Sequence, residues 1–199
     1  MQVLKFIFVL AYVGLRGLAA ENENKVAVEA KVFGKQVQDK LEWVPKGEVE
    51  ANQLIPAGGD NMTYGHFPLY VGRTNYNGEW VSGKAGLDGG GFYFYFTYNN
   101  QQLPSDNFEI LTATPGTLSW ITWREGCDVS SFPVFVEANT NAYICRGFHE
   151  NSEKLTSLLV GIFRPGSGIC HVPYSADHQL TRFEVLEIND YGRYIGVKN

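Results

Sequence analysis

The chain has 199 residues, 44% hydrophobic and 14% aromatic, with a net charge of −5, enough apolar material for the core of one domain or two small ones and too much for a disordered chain. An acidic balance without basic clusters lacks the electrostatic footprint of a nucleic-acid binder. Three cysteines, Cys127, Cys145 and Cys170, are too few for a disulfide-built scaffold; in a secreted chain they allow one bridge and one spare thiol, and their spacing leaves the pairing open.

The first stretch, MQVLKFIFVLAYVGLRGLAA, sets Lys5 before the apolar run Phe6 to Leu15 and ends on Leu18-Ala19-Ala20. That layout predicts a secretory signal over residues 1–20, cleaved after Ala20, and the run is too short to span a bilayer comfortably. Removal of Lys5 and Arg16 with it takes the net charge to −7. The following KVAVEAKVFGKQVQDK alternates Val26, Val28, Ala30 and Val32 and reads as a strand.

From Trp43 onward the chain repeats itself. LEWVP at Trp43 returns as LSWIT at Trp120, Tyr70-Val71-Gly72-Arg73 as Tyr143-Ile144-Cys145-Arg146, GGFYFYF as SGICHVP, and Phe108-Glu109-Ile110-Leu111 as Phe183-Glu184-Val185-Leu186, at spacings of 73 to 77 residues. Four anchors in one order predict a tandem repeat over residues 43–112 and 120–188, joined at Thr114-Pro115-Gly116. Within a unit the elements are short strands. Asn77-Gly78 supplies the positive φ angles of a two-residue hairpin turn, and FYFYF sets Phe92, Phe94 and Phe96 on one face and Tyr93 and Tyr95 on the other. The class is therefore all-β, with short antiparallel strands. Units of this size are marginal alone, so they are expected to share a core across a pseudo-twofold axis.

Asp60 ends the loop PAGGD before the hairpin, and Lys84 ends its return strand. Both fall at the end opposite the turn, where a carboxylate and an ammonium can converge on the hydroxyls of a sugar. The commoner fate of such a pair is a surface ion pair worth about 0–1 kcal/mol. Asn61-Met62-Thr63 is an N-glycosylation sequon next to it, usable if the chain is secreted, and a glycan there would crowd the site. Tyr64, Tyr70, Tyr76, Tyr93, Tyr95 and Tyr98 offer ring faces and hydroxyls, although most strand tyrosines simply pack. Cys145, His149, Cys170 and His171 match no compact zinc spacing, and neighbours in a strand point to opposite faces, so no metal site is expected. His178, Asp177 and Ser175 are too close in sequence for a catalytic triad. With no G-x-S-x-G, H-E-x-x-H or phosphate-cradling Gly-Lys-Ser loop, neither catalysis nor a cofactor is expected.

PAGGD, PLYVGR, GEWVSGK and the unit-ending FEIL and FEVL resemble the DM-nine repeat, a unit usually found in tandem; the resemblance runs over about residues 43–188. It implies an all-β fold and similarity to a mollusc mannose-binding lectin built from two such repeats, which uses an Asp and a Lys of the repeat. Carried over, those roles fall on Asp60 and Lys84. In the second unit Asn139 or Asn141 stands for the aspartate and Leu159, or Ser157, for the lysine, so the second site is expected to be lost or altered. The resemblance implies a secreted, mannose-type carbohydrate-binding glycoprotein of innate immune recognition. Its partners would be sugars on microbial or cell surfaces, engaged by a possible homodimer without nucleic acid or a membrane span. The rival reading is a secreted protein-interaction or structural module with no sugar site.

Overall fold

The computed structural model describes residues 41–63, 65–124, 133–137 and 140–189. The signal-like leader, the alternating segment that ends at Lys40, Tyr64, Cys127 and Asn139 lie outside them. Thirteen strands occur among the described residues, and no α-helix does. The first seven are β1 (Leu41–Pro45), β2 (Gly58–Met62), β3 (Gly65–Tyr76), β4 (Glu79–Asp88), β5 (Gly91–Tyr98), β6 (Gln101–Pro104) and β7 (Glu109–Ala113). The others are β8 (Leu118–Thr122), β9 (Tyr143–Glu150), β10 (Thr156–Phe163), β11 (Cys170–Pro173), β12 (Asp177–Leu180) and β13 (Glu184–Ile188). The chain is all-β and antiparallel, as its patterning implies.

Local signals explain the hairpins. Asn77 and Gly78 adopt φ of 54° and 83°, and Tyr76 pairs with Glu79 across them, so the two-residue turn matches the twist of its strands. In β5, Phe94 and Phe96 are buried with rings 5.9 Å apart. Tyr93 and Tyr95, also 5.9 Å apart, face the other way and stay part-exposed.

Pairing runs β6-β5-β4-β3-β7-β1 through one set of strands and β12-β11-β10-β9-β13-β8 through the other, and β2 bridges them by pairing with both β3 and β10. The same side chains hold both sets. Arg73 Nε donates to Glu109 at 2.7 Å, and its guanidinium lies 4.4 Å from the Trp43 ring and 4.2 Å from the Trp80 ring. Arg146 Nε donates to Glu184 at 2.6 Å, and its guanidinium lies 4.3 Å from the Trp120 ring. Each arginine also crosses over: Arg73 donates to the Val136 carbonyl at 2.7 Å and Arg146 to the Ala57 carbonyl at 2.9 Å. The main core is shared, with Val71, Val81, Phe94, Phe96 and Ile110 packed in one cluster with Val136, Ile144, Val160, Ile162 and Leu186.

With the arginines as origin, strand register equates positions more securely than letter matching. Val71 faces Lys84 and Ile144 faces Ile162, so the counterpart of Lys84 is Ile162 rather than Leu159 or Ser157. Ala85 faces Phe94 and Phe163 faces Cys170, so Phe94 corresponds to Cys170. The Phe94 ring covers Gly72, where an added Cβ would fall 2.6 Å from it. At the equivalent place Cys145 and Cys170 form a buried disulfide with a Cα–Cα distance of 6.0 Å. A ring over a glycine and a disulfide thus fill the same volume in the two sets.

Candidate functional site

Asp60 lies on β2 and Lys84 on β4, both of which pair with β3. Gly58, in the PAGGD motif, lets β2 lie close against β10: a Cβ there would fall 2.0 Å from the Leu158 carbonyl oxygen. The two head groups do converge, and they touch. Lys84 Nζ donates to Asp60 Oδ2 at 2.8 Å, with the residues only 5% and 1% exposed. A surface ion pair is therefore not what forms.

The rest of the shell comes from the second set of strands. Ser157 Oγ on β10 donates to Asp60 Oδ1 at 2.8 Å and accepts from the Asn61 N–H at 3.0 Å. Lys84 Nζ sits 5.1 Å from the centre of the Tyr174 ring, a favourable place for a cation over a π face. Tyr174 meets the His149 ring at 4.8 Å, and His149 meets His178 at 4.0 Å. Burial pushes the His149 pKa below its ordinary value, His178 and the Lys84 ammonium push it further, and Asp60 partly opposes them. Sequence reading weighed His149 only as a metal ligand and His178 only as part of a triad, placed Ser157 only as a stand-in for the lysine, and did not single out Tyr174. No local pattern reveals their place at the pair, because they lie from 65 to 118 residues further along the chain.

Two openings flank the pair and share Met62. One, of about 370 Å³, has Asp60, Lys84, Phe67, Asp88, Tyr93 and Tyr95 in its wall. The other, of about 550 Å³, is bounded by His149, Tyr174 and His178 together with Glu150 and Glu153. A carboxylate offers about four lone-pair sites and an ammonium three protons. The contacts above occupy two of the former and one of the latter, which leaves hydrogen-bonding capacity on both groups.

Asn61 follows Asp60 on β2. Its Nδ2 donates to the Thr156 carbonyl and its Oδ1 accepts from His66 Nδ1 at 2.6 Å. The sequon amide is therefore clasped between β10 and β3. The sulfurs of Cys145 and Cys170 are committed to each other. Asp177 pairs with His171 at 2.7 Å, whereas His178 Nε2 donates to the Tyr174 carbonyl at 2.8 Å. Among the described residues no helix is long and apolar enough to cross a membrane.

No curated protein matches the chain in sequence. Among solved structures, the nematode sperm cell motility protein MFP2B is similar at a TM-score of 0.52 and 14% identity, over 75% of this chain and 44% of that one. At that identity the likeness concerns the fold alone, and this chain spans less than half of that protein's length. The sequence model of the DM9 repeat matches residues 60–130, a span that opens on Asp60 and contains Lys84. This chain therefore carries a DM9 repeat.

Proposed function

We propose that this chain is a secreted, non-catalytic carbohydrate-binding protein that uses Asp60 and Lys84 in recognition of microbial or cell-surface sugars, with mannose-type glycans the first candidates. The observation that carries the reading is a charged pair in the wall of an opening of about 370 Å³ that also presents Tyr93 and Tyr95. A carboxylate and an ammonium side by side accept from and donate to adjacent sugar hydroxyls, and aromatic faces cover the apolar side of the ring. The volume lies within the range of about 300–1,000 Å³ usual for small-ligand sites. The Cys145–Cys170 disulfide supports passage through an oxidising compartment. Single sugar contacts are weak, so binding to a surface would rest on several sites per particle, most simply in a homodimer.

Retention on mannan-agarose with elution by free mannose tests this, alongside a glycan array. The wild type should be retained. A variant carrying both Asp60→Asn and Lys84→Met, which removes both charges at similar volume, should flow through while still unfolding cooperatively. If the wild type binds no glycan in either assay, the reading is lost.

One observation favours a second reading. Asp60 is held by Lys84 on β4 and Ser157 on β10, so the pair also ties the two strand sets together. On this reading the chain is a protein-interaction or structural module, and the double variant loses no ligand.

A further inference from the structure

A third opening, of about 390 Å³, lies where the turn between β5 and β6 faces the hairpin β11–β12. Its wall includes Asp177, whose side chain is 3% exposed. Asp177 Oδ2 accepts from His171 Nδ1, but no donor among the described residues reaches its buried Oδ1. A buried carboxylate oxygen without a donor is unfavourable, and it marks a place where something else supplies the proton.

Register identifies the place. Thr97 faces Gln102 and Pro173 faces Asp177, so Asp177 is the counterpart of Gln102. Gln102 Oε1 reaches across to the other strand set and accepts from the Ser175 N–H at 2.8 Å. The corresponding contact from Asp177 to the Asn99-Asn100 turn is not made, and the opening stands there instead. The neighbours follow the same symmetry. Lys84 faces Tyr95 and Ile162 faces His171, so His171 stands for Tyr95. Tyr76 faces Glu79 and His149 faces Ser157, so Glu79 stands for Ser157. Tyr98, one residue past Thr97, stands for Tyr174. Three residues of this wall, Glu79, Tyr98 and His171, are therefore register counterparts of residues around the Asp60–Lys84 pair, namely Ser157, Tyr174 and Tyr95. The lysine has become Ile162, and a cation returns two residues later as Arg164, which donates to Glu79.

We propose that this opening is a second ligand site, rebuilt with different chemistry, that takes a neutral polyhydroxylated ligand such as a hexose. Arg164 opposes an ammonium ligand, and Glu79 with Asp177 opposes an anion. The wall combines acceptors, Glu79 and Asp177, with donors, Arg164 and the amides of Asn99 and Asn100. A ligand that answers both on adjacent atoms is a run of neighbouring hydroxyls: one donates to Asp177 Oδ1, another accepts from Arg164 or an asparagine amide. The site shares a ligand class with the reading of the Asp60–Lys84 site but none of its residues.

The test is an amide and histidine-ring NMR titration of the full chain with the methyl glycosides of mannose, glucose and galactose and with N-acetylglucosamine. At least one sugar should shift the signals of Thr97 to Asn100 and His171 saturably. Asp177→Asn should weaken that binding roughly tenfold, the loss of one hydrogen bond to a charged acceptor. Should Asp177→Asn misfold, Asn99→Gly with Asn100→Gly serves instead: both positions have positive φ, 49° and 61°, which glycine tolerates, so the amides go without backbone strain. No shift at Thr97 to Asn100 with any of the four sugars overturns the proposal, as does a shift indifferent to both variants. Shifts confined to β2 and β4 leave the Asp60–Lys84 reading standing and remove this one. Shifts confined to Thr97 to Asn100 and His171 do the reverse.

Discussion

Truncation of Lys84 to alanine leaves the Asp60 carboxylate buried with Ser157 Oγ and no countercharge. An uncompensated buried charge typically costs about 3–5 kcal/mol, whereas replacing both members of a pair by neutral groups is often close to neutral. Lys84→Ala should therefore lower the urea midpoint by a stability difference in that range, and Asp60→Asn combined with Lys84→Met should recover most of it. A loss below about 1 kcal/mol for Lys84→Ala, the scale of an exposed pair, would show that the contact does not hold the fold. His149 adds a pH dependence. Its pKa is lowered in the folded state by burial first, then by His178 and Lys84, so on acidification the unfolded chain takes up the proton before the folded one. The stability tied to neutral His149 is complete above its ordinary value of about 6.5 and is lost as pH falls from there through the folded value. Glu187 runs the opposite way in a lower window: burial raises its pKa, so its contribution is present below the ordinary carboxylate value and is lost as pH rises through the raised one. Melting temperature should thus fall from about pH 7.5 to pH 5.5, and His149→Gln should flatten that slope. An unchanged slope in the variant would assign the loss to other groups.

Arg73 shows what an element gains from its position on β3. Its guanidinium is sandwiched by Trp43 and Trp80 while it holds Glu109 and the Val136 carbonyl. A lysine keeps the charge but neither the planar stacking nor the forked donors. Arg73→Lys should cost about 2 kcal/mol in denaturant unfolding, from the lost stacking and one charged hydrogen bond. Arg146→Lys should cost less, since among the described residues Arg146 has the single partner ring of Trp120. Equal losses would argue that stacking adds nothing. The strands themselves were legible where a pattern is local: the FYFYF alternation, the Asn77-Gly78 turn, and the repeated Trp, Arg and Glu that became these clusters. The counterpart of Lys84 was not, and the reason is the hairpin. Two residues separate Tyr76 from Glu79, but seven separate their counterparts His149 and Ser157, so a match made by letters slides along β10 and settles short of Ile162. The disulfide partner was illegible for a related reason: Cys170 takes the place of a phenylalanine, and only the register shows that Phe94 and Cys170 fill the same volume.

At the scale of the molecule, the side-chain contacts that join one strand set to the other are ones that sequence reading missed. Ser82 Oγ donates to the Gly161 carbonyl at 3.0 Å, Ser157 holds Asp60, Gln102 accepts from Ser175, and the arginines cross in both directions. Partners so far apart in the chain leave no periodicity and no motif, whereas the fold class needs only the alternation within each strand. The same contacts determine how the protein unfolds. Each set buries part of its main core against the other, with Phe94 and Phe96 in one cluster with Ile144 and Ile162, and a unit of roughly 70 residues is marginal on its own. Separation would expose that apolar surface and orphan the carbonyls of Val136, Ala57 and Gly161 as well as Asp60. The two sets should therefore melt as one unit. Calorimetry should give a single transition with equal calorimetric and van't Hoff enthalpies, and residues 41–116 expressed alone should lack dispersed amide signals. Two resolved transitions, or a folded fragment with slowly exchanging β3 and β4 amides, would show that the sets are independent domains and that the shared core stabilises neither.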